Sequence, residues 1–279
     1  MKHALIALWL LALTLFSLSG WANAQTIHAE QDQTKQQIMT SIYPLALLLN
    51  SAWPEQLDAK HLVPANQSPH DFSLKPSDRR AVEETAFLLW LGPELEPYLN
   101  KVLNKHNHHL ALLPHADHHD DPHIWLAPQR IAGILKQVQQ ALQLPEPTAF
   151  LSALHTWQTQ SQAALQPLKE KGFVVYHDAF THWVKFFGLN QLASVTNDPD
   201  HPVGSRHLLQ VRQILETQTP ACLFTEPQFS SPIVRKLTQG LSIAQVQIDP
   251  IGGQYQLPQS NFLDFYAGLT ETFVRCLAH

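Results

Sequence analysis

An α/β fold is predicted: two Rossmann-like lobes, each a mostly parallel sheet flanked by helices, joined by one long rigid helix. Three features predict it. Short apolar runs alternate with helical patterns along the chain, the order that parallel pairing with helical crossovers produces. The alternation pauses once, for a long helical stretch near residue 150, and then resumes. The length of 279 residues with 44% apolar content accommodates two ordinary cores, in lobes of roughly 120 residues each.

The elements follow in order. Lys2 supplies a positive start, residues 4–16 form an apolar stretch too short to span a bilayer comfortably, and Ala22-Asn23-Ala24 gives a small-x-small cleavage pattern. Residues 1–24 therefore read as a secretory signal, cleaved near Ala24/Gln25. A cysteine does not follow it, so a lipid anchor at the mature N-terminus is not expected. The first lobe is assigned to residues 25–146. Its strands are expected at 37–42, 59–64, 86–91 and 110–113, and its helices at 45–53, 76–84, 95–106 and 128–143. Asp78 with Glu83 and Glu84 marks one acidic helix, and Asp78 suits the positive end of its dipole.

Residues 148–171 carry Phe150, Leu154, Trp157, Ala164, Leu165 and Leu168 at helical spacing, ended by Lys171-Gly172 and kinked at Pro167. At 1.5 Å per residue such a helix runs about 30 Å or more, and 147–171 is expected to connect the lobes. The second lobe, 172–279, has strands expected at 173–176, 191–195, 221–225 and 244–248. Its helices are expected at 181–188, 205–217, 232–240 and 261–277.

Composition narrows the function. A net charge of −5 argues against nucleic acid or anionic lipid as partner, since both call for a basic face. Two cysteines, Cys222 and Cys276, form an even pair, which in an exported protein favours a disulfide over a metal site. Histidine is abundant, 17 residues against 18 Lys+Arg, and neutral imidazole is the commonest transition-metal ligand. Several histidines stand where strands are expected to end. His177-Asp178 follows 173–176, Asp249-Pro250 follows 244–248, and Ser68-Pro69-His70-Asp71 lies beyond 59–64. Asp121-Pro122-His123-Ile124-Trp125 precedes a helix. In open α/β sheets ligands bind outside the carboxyl ends of strands, so a metal site in the cleft between lobes is plausible. A carboxylate beside His70 or His177 can fix the imidazole tautomer.

Four strings carry a resemblance. Pro69-His70-Asp71-Phe72-Ser73-Leu74-Lys75-Pro76, Asp121-Pro122-His123-Ile124-Trp125-Leu126, Tyr176-His177-Asp178-Ala179-Phe180 and Gln247-Ile248-Asp249-Pro250-Ile251-Gly252 resemble, in order, the metal-ligand motifs of the ZnuA-type zinc-binding solute receptors of ABC importers. Thr225-Glu226-Pro227-Gln228-Phe229 is similar to another family segment, and the Cys222–Cys276 placement resembles the disulfide of zinc-specific members. The resemblance implies two α/β lobes with a bridging helix and His70, His123 and His177 as metal ligands. The fourth ligand is expected to be Asp249, with water as the alternative. It further implies a periplasmic, monomeric, non-enzymatic receptor that hands Zn²⁺ to a membrane permease. An all-imidazole set suits Zn²⁺ better than Mn²⁺, although Cu²⁺ stands higher in the affinity order. Since a histidine binds metal only when deprotonated, acid should weaken the complex.

A second feature is the segment carrying His106, His108 and His109 and, after 110–113, His115, His118 and His119. Such density of imidazole is a metal-binding composition, and zinc-specific relatives resemble this chain in having a histidine-rich loop. It is expected to be an auxiliary low-affinity site feeding His123. His155, His182, His201 and His207 read as surface or capping residues, and Trp157, Trp183, Phe186 and Phe187 as core. Two alternatives share the site: a zinc-dependent hydrolase, for which neither H-E-x-x-H nor G-x-S-x-G occurs, and an extracellular zinc buffer or adhesin.

Overall fold

A computed structural model describes residues 35–70, 72–103, 108–115, 121–199, 201–229 and 232–278. The expected signal and its cleavage point lie outside the described residues, as do Asp71, His106, His118 and His119.

Two four-stranded sheets organise the described residues, and every pairing in them is parallel. The first contains β1 (Gln36–Thr40), β2 (Leu57–His61), β3 (Leu88–Trp90) and β4 (His109–Ala111), in the order β2-β1-β3-β4. The second contains β5 (Gly172–His177), β6 (Asn190–Thr196), β7 (Cys222–Thr225) and β8 (Ala244–Gln247), in the order β6-β5-β7-β8. Leu88, Leu89 and Trp90 of β3 are all buried, as are Phe173 to His177 of β5. Such strands are covered on both faces, as helical crossovers require. Each sheet reverses its winding at its first strand, so the loops after β1 and β3, and after β5 and β7, leave in opposite directions. The crevices between them are where open sheets bind ligands.

The helices are α1 (Tyr43–Ala52), α2 (Pro76–Glu84), α3 (Asn100–Leu103), α4 (Ile131–Leu142), α5 (Thr148–Leu165), α6 (Thr181–Phe187), α7 (Ser205–Thr217), α8 (Pro232–Thr238) and α9 (Phe262–Leu277). Proline opens α2, where its missing N–H is harmless, and the Asp78 carboxylate accepts from the Lys75 N–H at 2.8 Å. Asn261 caps α9 by accepting from the N–H groups of Leu263 and Asp264.

Among the described residues the element types match expectation, while some ends move. The helix expected at 95–106 begins instead as a 3-10 turn, Pro97–Leu99. Pro97 disfavours helical dihedrals at the residue before it, and Glu96 sits at φ −122, ψ 53. Helix α4 starts at Ile131 rather than 128 and ends where Gln143 turns left-handed, at φ 54. The long helix α5 stops at Leu165, with a 3-10 turn Gln166–Leu168 beyond it. Pro167 lacks the N–H that would continue the ladder. Its 18 residues span about 27 Å, somewhat less than expected, and it packs against both α9 and α1.

The largest core draws on both sheets. Trp157 of α5 meets Tyr266 of α9 at 4.6 Å and Trp183 of α6 at 5.5 Å between ring centres, and Trp183 stacks on Phe273. Burying such rings removes 150–250 Å² each from water. Cys222 and Cys276 are disulfide-bonded, with 5.6 Å between their Cα atoms, and the bond ties β7 to α9. Among the described residues no helix is long and apolar enough to cross a membrane.

Candidate metal centre

Three loops and strand ends converge. His70 lies in the loop after β2, in a turn where its N–H donates to the Ser68 hydroxyl at 3.2 Å. His123 lies in the loop after β4, just before a buried 3-10 turn, Ile124–Leu126. His177 is the last residue of β5. Their ring centres stand 5.3, 5.0 and 4.9 Å apart for the pairs His70–His123, His70–His177 and His123–His177. One nitrogen from each ring lies within 4.8 Å of the other two, and the group is the one set of potential metal ligands found among the described residues. The Nε2 atoms of His70 and His123 face each other at 3.2 Å. Two imidazoles on one tetrahedral Zn²⁺, at about 2.0–2.1 Å each, put their nitrogens roughly 3.3 Å apart. The pair is therefore already spaced for a shared cation.

Each ring is aimed differently. Asp121 holds His123 twice: one carboxylate oxygen accepts from the His123 main-chain N–H at 3.0 Å and from ring Nδ1 at 2.6 Å. Nδ1 must then carry the hydrogen, which leaves the Nε2 lone pair for a metal. Burial pulls the Asp121 carboxyl upward, but its hydrogen bonds and the His123 charge outweigh that and hold it below the usual range. Behind His177 stands Glu226, at the end of β7, with its carboxylate 3.6 Å from Nδ1. Burial raises the Glu226 pKa. The adjacent Asp178 instead accepts from the Thr181 hydroxyl and the Gln191 amide.

Burial, reinforced by the neighbouring His123 and His177, lowers the His70 pKa to about 3. Burial also lowers that of His123, against an opposing pull from Asp121. Converging lone pairs in dry surroundings resist protonation because one added charge would be poorly solvated and would repel the next. The walls supply the dryness: Pro69, Trp125, Phe229, Pro250 and Ile251 line the pocket. Trp125 donates from Nε1 to the Pro250 carbonyl at 2.8 Å, and the Tyr266 hydroxyl donates to the Trp125 carbonyl at 2.6 Å. Both bonds pin the His123 loop to residues around the second sheet.

Asp249 stands outside the three-histidine group. Its Oδ1 accepts from the Ile251 N–H at 2.9 Å and the Gln228 amide at 2.7 Å, and its Oδ2 from the Gly253 N–H at 2.9 Å. These bonds shape a turn. Gly253 is needed there, because a Cβ would meet the Ala65 carbonyl oxygen at 2.6 Å. The auxiliary histidines fall partly within view: His108, His109 and His115 are exposed, and Trp90 Nε1 donates to His109 Nδ1 at 3.3 Å.

Two residues have roles at the site that sequence reasoning did not assign to them. Glu226 follows β7 as His177 ends β5, so the strand-end rule that selects His177 selects Glu226 too. His182, expected as a surface or capping residue, is 8% exposed and bonded to Asp121; a sequence gives no sign of that contact. His201, by contrast, is exposed and paired with Asp198 at 2.7 Å, and His207 bonds the Ser194 carbonyl.

Comparison with known proteins agrees with this geometry. The family model "ZnuA: Zinc-uptake complex component A periplasmic" matches residues 38–276. The high-affinity zinc uptake system protein ZnuA of Haemophilus ducreyi is 28% identical over 287 residues, covering 86% of this chain and 93% of that protein. The protein of the same description from Yersinia pestis is 27% identical over 329 residues, covering 99% and 98%. A crystal structure of ZnuA superposes with a TM-score of 0.72 at 19% identity, over 87% of this chain and 99% of that one, a likeness of fold. A match spanning nearly the whole described chain, with three imidazoles gathered at one point inside it, places this protein in the ZnuA family of zinc-uptake components.

Proposed function

We propose that this chain is a periplasmic receptor that captures Zn²⁺ and delivers it to the membrane permease of a zinc ABC importer. The observation that carries the proposal is the convergence of His70, His123 and His177 on one point, with ligand atoms within 4.8 Å of each other. A set of neutral nitrogens favours Zn²⁺ over the oxygen-seeking Mn²⁺. No bond chemistry is required of it. A hydrolytic centre would need a carboxylate base beside metal-bound water, and the Glu226 carboxylate instead faces the Nδ1 of His177. The ion is cargo, held by three imidazoles with a fourth position filled by water. Asp249 joins only by giving up its turn-forming hydrogen bonds.

Residues 25–146 and 172–279 act as two lobes around the ion, with the 147–171 connector between them limiting how far they separate. The protein works as a monomer, after removal of residues 1–24. The segment bearing His106, His108, His109, His115, His118 and His119 collects Zn²⁺ at low affinity and passes it to His123, a few residues downstream. Calorimetric titration of metal-free protein with Zn²⁺, Mn²⁺ and Cu²⁺ tests the proposal. One tight Zn²⁺ site, lost in His70→Ala and His177→Ala, is expected; full affinity in both variants would overturn it. Deletion of residues 115–119 should lower Zn²⁺ uptake at low supply, and unchanged stoichiometry and uptake would remove the loop's role.

A further inference from the structure

His182 is a buried histidine with no place in the ligand set. It sits in the first turn of α6, beside the second sheet, yet its partner lies in the loop that leaves the first. Its Nε2 is 2.9 Å from the main-chain carbonyl of Asp121 and 3.7 Å from that residue's Oδ2. Both partners are acceptors, so Nε2 carries the hydrogen and donates. The other Asp121 oxygen, Oδ1, is the one that holds His123 by its N–H and its ring. Oδ2 itself is buried without a hydrogen-bond partner, and leaving such an acceptor unpaired costs free energy. The nearest relief is the same His182 N–H, within reach after a movement of well under an ångström. A line of contacts thus runs from α6 through Asp121 to the Nδ1 of His123 and on to the nitrogen that faces His70 and His177.

We propose that His182 is a positioning residue for the metal centre: it braces Asp121, and through it His123, so that retention of the ion depends on the two sheets' loops staying apposed. The inference rests on His123 being a metal ligand. An ion bound to His123 withdraws electron density from the ring and strengthens the Nδ1–H bond to Asp121, which in turn favours a fixed, fully partnered carboxylate. Drawing α6 away from the Asp121 loop breaks the 2.9 Å bond, and the Asp121 carboxylate that holds the His123 ring is then left unbraced. Separation of the lobes would loosen a ligand on one side of the cleft by moving a helix on the other. Release is thereby coupled to opening through a residue that does not itself touch the ion.

Two variants separate the hydrogen bond from the packing. His182→Phe keeps a buried ring and removes the donor; His182→Gln keeps a donor at nearly the same reach and removes the ring. Zn²⁺ is loaded at one equivalent and its transfer to a chromophoric chelator is followed by stopped flow, alongside thermal denaturation of the metal-free forms. Release from His182→Phe should be faster than wild type by about tenfold or more, the size typical of losing a group that orients a ligating histidine. His182→Gln should stay within about threefold of wild type on the same scale. Release from His182→Phe at the wild-type rate, or from His182→Gln as fast as from His182→Phe, would overturn the brace. In the Zn²⁺-loaded protein, proton NMR of the His123 Nδ1–H should show it exchanging faster with solvent in His182→Phe; equal protection contradicts the proposal. His70→Ala serves as the separate control: if it holds Zn²⁺ as wild type does, the metal centre itself is misassigned and the fault does not lie with His182.

Discussion

Replacing Glu96 with glutamine should remove one component of the pH dependence of folding stability. The Glu96 side chain is fully buried in the loop after β3, where the Leu91 N–H donates to its Oε2 at 2.7 Å. Burial pushes its pKa up to about 7 from an ordinary 4.5. A carboxyl with a raised folded pKa keeps its proton in the native state after the unfolded chain has lost its own. Its contribution to stability is therefore complete below about pH 4.5 and is lost as pH rises through about 7. A gap of about 2.5 pH units corresponds to about 3 kcal/mol. Glutamine keeps the shape and an acceptor for Leu91 but cannot ionise. Urea denaturation of the metal-free, disulfide-intact protein at pH 4.5 and pH 8 measures the effect. Glu96→Gln should match wild type to within about 1 kcal/mol at the lower pH and exceed it by up to about 3 kcal/mol at the higher. Taking the difference between the two proteins cancels the opposite trend from His70 and His123, whose lowered values cost stability as pH falls. A difference that is the same at both pH values would refute the reasoning.

Other outcomes follow from the same contacts. Glu226→Gln replaces the carboxyl group facing His177 with an amide and should weaken Zn²⁺ binding about tenfold without lowering the stability of the metal-free protein, as calorimetry and urea denaturation would show; unaltered affinity would mean that Glu226 does not orient the ring. Trp125→Phe leaves the buried Pro250 carbonyl without its donor and should cost about 1–3 kcal/mol in denaturation. Replacing both Cys222 and Cys276 with serine opens a loop of 54 residues, for which chain entropy gives about 4 kcal/mol as an upper figure, read from the same denaturation curves.

Part of this was legible in the sequence where a short apolar run is followed directly by its chemistry. Phe173-Val174-Val175-Tyr176 ends on His177, and the strand and the ligand are one signal. The strand order was not legible. The positions of β3 and β7 beside β1 and β5 come from helical crossovers packing on both faces, and no local residue records them. Helix ends shifted where proline acted: Pro167 was expected as a kink, whereas the helix expected at 95–106 ran through Pro97. Asp249 illustrates a different difficulty. Asp249-Pro250-Ile251-Gly252-Gly253 has the composition of an acceptor-led turn, and the carboxylate is occupied by Ile251 and Gly253 amides, which a strand-end rule ignores. Acid sensitivity was legible in its sign, since protonation of a ligating histidine opposes metal binding. Burial and mutual repulsion keep His70 neutral down to about pH 3, so mild acid finds this ring already deprotonated. His182 could not be recognised at all, since its meaning lies in Asp121, 61 positions away in the chain.

X-ray absorption of the one-to-one Zn²⁺ complex tests the metal centre most directly. Three imidazole nitrogens and one light oxygen scatterer at about 2.0–2.1 Å are expected, falling to two imidazoles in each of His70→Ala, His123→Ala and His177→Ala. A six-coordinate oxygen shell, or a spectrum unchanged by those substitutions, would contradict a site built from these three residues.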